Sequence, residues 1–176
     1  MQKLKYIPQY SYEDYKMWKG DWELIDGLPF AMSPSPNANH QHIQGELLFQ
    51  IKDNLKSSKC KQGCTCYTDL DWVVDDETVL RPDISVVCGE KVADFIRRPP
   101  VLIVEILSPS TAYNDRIVKK DIYEARRVKF YLIADPEEKI IETFELFGDK
   151  YEIVKKDAFA LDKNCELHLR FSEIWE

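Results

Sequence analysis

Apolar residues along this chain recur at helical spacing in one long segment. Between residues 40 and about 56 they return every three or four positions, which predicts an amphipathic helix with one face toward the core. The stripe comprises Ile43, Leu47, Leu48, Ile51 and Leu55. A second helix is predicted after Ser108-Pro109-Ser110-Thr111, because this run cannot stay in a central ladder, and Thr111 or Asn114 is a suitable cap. It should extend to about Arg127.

Short runs rich in Val, Ile and aromatic residues, bounded by Pro and Gly, predict strands elsewhere. They lie at residues 22–32, 64–74, 81–87, 101–107, 130–134, 140–146, 151–154 and 167–171. Asp26-Gly27 and Gly148-Asp149 predict hairpin turns. This order of elements predicts an α/β (α+β) fold, a mixed β-sheet flanked by helices, in a single domain of residues 1–176.

Two of the predicted strands carry one carboxylate each in an otherwise apolar run. Asp83 follows Pro82 at the start of one strand, and Glu105 lies within Val-Leu-Ile-Val-Glu-Ile-Leu. Burying a lone carboxylate is costly unless it is paired or binds a cation. Two carboxylates on neighbouring strands would repel each other, and a divalent metal between them is a common remedy. We therefore expect the functional site at this pair.

The overall charge limits the functions that the chain can have. It contains 31 acidic and 24 basic residues, for a formal net charge of −7, which argues against a surface built for non-specific nucleic-acid binding. Local basic runs occur on both predicted helices and are typical of solvated helix faces. No segment approaches the roughly 20 apolar residues of a membrane span, and charged residues follow the start where a signal peptide needs an apolar core. We expect a cytoplasmic protein that does not associate with membranes.

The cysteines suggest a minor alternative. There are five, and Cys60, Cys64 and Cys66 lie close together. Their spacing fits no zinc knuckle well, and the nearby histidines precede them on a different element. Reduced thiols are the expectation for a cytoplasmic domain, with a structural zinc site as the competing interpretation.

Several motifs, taken in order, resemble a known family. Pro82-Asp83 followed by a hydrophobic strand with Glu105 is similar to the PD-(D/E)XK signature of restriction-endonuclease-like phosphodiesterases. A longer ordered set resembles the Uma-type restriction endonucleases of bacteria and covers nearly the whole chain. It comprises residues 23–27, 32–36 with His40-Gln41, 81–87, 105–111, Asp115 with Lys119 and Tyr123, and 131 through 135–136.

The resemblance implies a restriction-endonuclease-like fold that binds magnesium or manganese. The metal ligands would be Asp83, Glu105 and the backbone carbonyl of Ile106. Where the generic signature expects a lysine, this chain has Leu107. Lys119 on the following helix is interpreted as the migrated lysine, placed near the scissile phosphate; the competing interpretation is a lysine on a helix surface.

Three further residues match positions that support such a site: Glu23, His40 and Asp115. Glu23 could complete the outer shell of the metal or orient a water. The competing interpretations are a hairpin pair for Glu23 and a helix-start hydrogen bond for His40.

These features predict a magnesium-dependent endonuclease that hydrolyses phosphodiester bonds in DNA. Cutting both strands usually requires two sites, so a homodimer is expected. The alternative is a catalytically inactive module with a nuclease fold that binds nucleic acid or protein. The lysine missing after Glu105 and the acidic net charge favour the alternative, whereas two retained strand carboxylates oppose it.

Overall fold

The computed structural model describes residues 7–32, 37–56, 63–89 and 91–176. The strands are β1 (Trp22–Ile25), β2 (Leu28–Ala31), β3 (Cys64–Thr68), β4 (Trp72–Val73), β5 (Val79–Leu80), β6 (Ile84–Cys88), β7 (Leu102–Ile106), β8 (Phe130–Asp135), β9 (Ile140–Phe147), β10 (Lys150–Val154), β11 (Ala158–Asp162) and β12 (Cys165–His168). The helices are α1 (Tyr12–Tyr15), α2 (Ala38–Lys56), a π-helical segment (Asn114–Lys119) that continues as α3 (Lys120–Ala125), and a 3-10 turn (Glu173–Trp175). The family-like motif at 33–36 lies outside the described residues.

The main sheet has the strand order β10-β9-β8-β7-β6-β3. Its β7–β8 pair is parallel and its other pairs are antiparallel. Helices lie on both faces, which confirms the predicted mixed sheet flanked by helices. Among the described residues, no helix is both long and apolar enough to cross a membrane.

Alternate residues of the central strands point to two separate cores. Leu102, Val104 and Ile106 of β7 pack in the same cluster as the apolar face of α2. Ile103 packs on the opposite face, in a cluster with Tyr123 of α3. Because side chains alternate along a strand, Glu105 points to the α3 face of the sheet.

A second sheet of order β2-β1-β5-β4 lies beside the main one and carries Glu23 on β1. The predicted Asp26-Gly27 hairpin is present, with φ of 49° and 74° at these two residues. Positive φ at both central residues is the requirement of a type I′ turn, which suits Asp-Gly. α1 begins at a capping box formed by Ser11 and Asp14.

The prediction of a single strand across residues 64–74 is wrong. β3 ends at Thr68, Asp69 has a φ of 50°, and Trp72–Val73 pairs with β5 in the second sheet. The alternation of side chains continues across this break, so the sequence pattern did not reveal that the chain changes sheets.

Among the described residues, the expectation of reduced thiols is contradicted at Cys64, Cys88 and Cys165, which are disulfide-bonded. Cys64 and Cys88 are register partners on β3 and β6 and form a disulfide, while Cys66 is free and buried. Burial raises the pKa of the Cys66 thiol to about 12. Of the three cysteines considered for zinc, Cys60 lies outside the described residues, and Cys64 is held by the disulfide.

Candidate active site

Sheet register brings the two strand carboxylates together. Ile84 pairs with Val104 and Ser85 with Ile103, so continuing this antiparallel register places Asp83 opposite Glu105. The backbone N–H of Asp83 lies 3.4 Å from Glu105 Oε2, and the backbone N–H of Ile106 donates to Asp83 Oδ2 at 2.6 Å. The two side chains therefore share one end of the sheet.

Four charged side chains and one tyrosine form a buried group around Glu105, which we call the inner cluster. Its members are Glu23, Glu105, Asp115, Lys119 and Tyr123. Lys119 is only 5% exposed. Its Nζ lies 3.0 Å from Glu23 Oε1, 3.2 Å from Glu105 Oε1 and 3.3 Å from Asp115 Oδ1. One ammonium thus serves three carboxylates from three different elements.

The π-helical segment positions two members of the inner cluster. Asp115 and Lys119 are four residues apart and ion-paired on this segment. π-helical turns are rare and occur frequently at functional sites. The hydroxyl of Tyr131 on β8 donates to the backbone carbonyl of Asp115 at 2.9 Å, which ties the segment to the sheet.

Tyr123 fixes the orientation of Glu105. Its hydroxyl donates to Glu105 Oε1 at 2.6 Å, and the residue is completely buried. Its ring stacks on Trp72 and lies edge-on to Tyr131. Glu105 Oε1 therefore accepts from two donors, the hydroxyl of Tyr123 and the ammonium of Lys119.

Burial and charge act in opposite directions within the inner cluster. Burial raises the pKa of Glu105 well above its usual value, although Lys119 opposes this shift. Burial alone would lower the pKa of Lys119, but Glu105, Glu23 and Asp115 outweigh it and raise that pKa well above its usual value. The three carboxylates therefore favour the charged form of Lys119.

A second set of side chains, which we call the outer group, surrounds Asp83: His40, Gln44, Asp69 and Asp83 itself. His40 Nε2 lies 3.3 Å from Asp83 Oδ2. Gln44, one helical turn after His40 on α2, donates to Asp69 Oδ2 and to the backbone carbonyl of Asp83. Burial lowers the pKa of His40, but the hydrogen bond and the charge of Asp83 outweigh it and raise the pKa.

The inner cluster and the outer group meet in one cavity of about 400 Å³. Its rim includes Ser108, Ser110 and Thr111 from the loop after β7. All seven sequence-predicted site residues line this cavity: Glu23, His40, Asp83, Glu105, Ile106, Asp115 and Lys119. Lys119 is buried in the site rather than exposed on a helix surface.

The sequence did not indicate every residue of the site. Tyr123 belonged to a recognised motif but was assigned no role, and Gln44 and Asp69 carried no signal. Gln44 faces the site only because it follows His40 by one helical turn.

The donor set at Asp83 and Glu105 fits a divalent cation that prefers oxygen ligands. Each carboxylate gives one oxygen to protein donors: Asp83 Oδ2 to Ile106 N and His40, and Glu105 Oε1 to Lys119 and Tyr123. Among the described residues, none donates to Asp83 Oδ1, and Glu105 Oε2 receives only the 3.4 Å contact from Asp83 N.

The backbone of Ile106 offers a third oxygen. The register that pairs Ile84 with Val104 sets Ile106 opposite Pro82, and proline has no N–H to donate to a strand carbonyl. No three His, Cys, Asp or Glu side chains of the described residues converge as a metal-binding group. Two carboxylates, this carbonyl and waters would therefore form the coordination sphere.

Comparisons with known proteins identify a family and a similar fold. A family model described as Uma2, putative restriction endonuclease, matches residues 12–173. A solved structure described as a putative nuclease belonging to DUF820 from Anabaena variabilis is similar with a TM-score of 0.75 at 18% identity, covering 94% of this chain and 97% of that one. An uncharacterized protein of Synechocystis sp. is 33% identical over 125 residues, which are 66% of this chain and 63% of its own length.

Proposed function

The chain belongs to the Uma2 family, and we propose that it is a divalent-metal-dependent endonuclease that hydrolyses phosphodiester bonds in DNA. One observation carries this proposal: Asp83 and Glu105 lie opposite each other in one cavity. Among the described residues, Asp83 Oδ1 has no protein donor, and Glu105 Oε2 has only the long 3.4 Å contact from the backbone N–H of Asp83. The family description, restriction endonuclease, supports DNA as the substrate.

Charge balance supports a metal at this site. The described residues that line the cavity include two permanent cations, Lys119 and Arg81, and the guanidinium of Arg81 is already paired with Asp71 and Asp21. They also include five acidic residues: Glu23, Asp69, Asp83, Glu105 and Asp115. A phosphodiester would be repelled from this excess of negative charge. Magnesium or manganese held by Asp83, Glu105 and the Ile106 carbonyl would offset that charge, activate a water and stabilise the scissile phosphate.

Lys119 has two roles in this proposal. Its ammonium holds Glu105 Oε1, so that the other carboxylate oxygen is directed to the ligand. As a fixed cation lining the cavity, it also stabilises negative charge that develops on the phosphate during attack. It provides the positive charge that Leu107 cannot supply, which weakens the main support for an inactive binding module.

His40 and Glu23 act as positioning residues. His40 holds Asp83 Oδ2 from the outer side. Glu23 Oε1 accepts from Lys119 Nζ and from the backbone N–H of Arg81, at 2.8 Å for the latter. Glu23 thus ties the lysine to the chain segment that leads into Asp83.

We also propose a homodimer, because cutting both strands of a duplex requires two active sites. The net charge of −7 leaves only local contacts to hold DNA, so cleavage should slow steeply as salt rises.

The test is incubation of the protein with supercoiled plasmid in the presence and absence of Mg²⁺ or Mn²⁺. We expect metal-dependent nicking or linearisation by the wild type and none by Asp83→Asn or Glu105→Gln. Asp149→Asn, an exposed carboxylate of a hairpin turn, is the control and should cleave like the wild type. Cleavage that persists in Asp83→Asn, or without metal, would contradict the proposal.

A further inference from the structure

A second cavity lies beside the catalytic one and has aromatic walls. Its volume is about 250 Å³. We call it the aromatic pocket, and its aromatic lining residues are Tyr12, Tyr15, Trp18, Trp22 and Phe95. They come from α1, the segment after it, β1 and the loop before β7. Half-buried aromatic side chains gathered around a cavity are typical of a binding site rather than of a core.

The backs of these rings are supported by the small core under the second sheet. Tyr12, Tyr15, Trp18 and Phe95 pack against the cluster of Leu24, Val73 and Val79. The indole Nε1 of Trp22 donates to the backbone carbonyl of Lys19 at 2.9 Å, which fixes that ring. The walls are therefore held in place around the cavity.

The charged groups inside the aromatic pocket are already paired. Arg81 Nε lies 2.7 Å from Asp71 Oδ1, and Arg81 Nη1 lies 2.8 Å from Asp21 Oδ1. Lys16 pairs with Glu13. A pocket with neutralised charges and flat aromatic walls suits a neutral planar group better than a phosphate.

Arg97 is a cation that does not line the pocket itself but lies against two of its rings. The guanidinium of Arg97 lies 5.5 Å from the ring centroid of Phe95 and 5.9 Å from that of Tyr12. No carboxylate of the described residues is within ion-pair distance of it. Arg97 can therefore contact a phosphate while stacking on the pocket wall. A planar neutral group attached to a phosphate is the chemistry of a nucleotide.

Arg81 connects the two cavities. This residue lines both of them: its guanidinium pairs with Asp71 and Asp21, and its backbone N–H donates to Glu23 of the inner cluster. A group bound in the aromatic pocket would thus lie next to a phosphodiester bound in the catalytic cavity.

We propose that the aromatic pocket binds one unstacked nucleobase of the strand whose phosphodiester enters the catalytic cavity. This inference rests on the proposed nuclease function and adds to it a requirement for a base that is flipped out or single-stranded. Stacking is tolerant of base identity, since every base has a π-face. The pocket would therefore select for accessible bases more than for a particular sequence.

The test is binding of a labelled, short single-stranded oligonucleotide, followed by fluorescence anisotropy, with Ca²⁺ in place of Mg²⁺ to offset the charge of the catalytic cavity. An abasic strand of the same length is the comparison. We expect the wild type to bind the strand with bases about tenfold or more tightly than the abasic one. Trp18→Ala and Phe95→Leu should each remove most of that difference. Phe95→Leu keeps an apolar side chain, and circular dichroism checks that both variants fold. Phe49→Ala, at an exposed ring on α2, is the control and should change nothing.

Two results would overturn the inference. One is equal binding of both strands by the wild type. The other is a wild-type dimer that Trp18→Ala dissociates without any change in oligonucleotide binding, which would make the pocket a subunit interface. If the wild type binds the strand with bases more tightly but does not cleave plasmid, the result contradicts the proposed nuclease function. The inference that the aromatic pocket binds a base would still be supported. Asp83→Asn should retain base-dependent binding.

Discussion

The inner cluster and the outer group hold the two central carboxylates in different ways. Glu105 is buried and held on one oxygen by Lys119 and Tyr123. Asp83 has a side chain that is 17% exposed and is held by His40 and a backbone N–H. In the inner cluster one buried ammonium pairs with three carboxylates, whereas His40 and Asp83 of the outer group are partly exposed.

This difference shows how one site can hold one carboxylate rigidly and leave the other accessible to a ligand. Burying three carboxylates and an ammonium is tolerable only because each charge has a partner. Substitutions in the inner cluster should therefore lower the free energy of unfolding, and substitutions in the outer group should mainly weaken ligand binding. Substitutions in each of the two groups test this distinction.

The largest effect on stability is expected from Lys119→Met. It leaves three carboxylates buried without a cation, which should cost about 3–5 kcal/mol in the free energy of unfolding. Urea unfolding followed by circular dichroism measures this loss. Lys150→Met is the matched control: Lys150 pairs with Glu124 but its side chain is 82% exposed, so its loss should leave the free energy of unfolding nearly unchanged. Equal losses in the two variants would contradict the distinction.

An intermediate effect is expected from Tyr123→Phe. The variant keeps the ring but removes the hydrogen bond to Glu105, which should lower the free energy of unfolding by about 1.5–3 kcal/mol. Because the hydroxyl also orients a proposed metal ligand, metal affinity should fall about 10–100-fold, as measured by calorimetry.

Tyr151→Phe controls for the loss of a tyrosine hydroxyl away from the site. Its hydroxyl donates to the backbone carbonyl of Val128, so stability should fall by about 0.5–1.5 kcal/mol, with metal affinity unchanged. If both tyrosine variants bound metal like the wild type, Tyr123 would have only a structural role.

The smallest effect on stability is expected from His40→Ala. His40 belongs to the outer group, so its removal should change the free energy of unfolding by less than about 1 kcal/mol. Metal affinity should fall about tenfold or more because Asp83 loses a positioning partner. His42→Ala, two residues later at an exposed position of the same helix, should leave both quantities unchanged. A large loss of stability in His40→Ala would place His40 in the interior network instead.

The sequence revealed the parts of the site that rest on local pattern. The carboxylates of Asp83 and Glu105 were evident because they interrupt apolar runs, and Lys119 followed from the resemblance to a family. A single sequence does not reveal the register in which two strands pair. The placement of Asp83 opposite Glu105 depends on how β6 and β7 pair, and no local residue determines that.

Other features were unpredictable for the same physical reason. The bond from Tyr123 to Glu105 joins a helix to a strand and has no sequence period. The break at Asp69 was hidden because apolar alternation continues into β4. The Cys64–Cys88 disulfide joins residues separated by 24 positions that meet only through strand pairing. Each depends on tertiary contacts rather than on local propensity.

The central claim is that Asp83 and Glu105 together bind a divalent cation. Calorimetric titration of Mg²⁺ and Mn²⁺ into the wild type, Asp83→Asn and Asp69→Asn tests it most directly. Asp83→Asn keeps an oxygen that can accept from Ile106 N, so the fold should be retained. We predict one saturable site in the wild type, loss of that site in Asp83→Asn, and its retention in Asp69→Asn. No binding by the wild type, or equal binding by Asp83→Asn, would contradict the account.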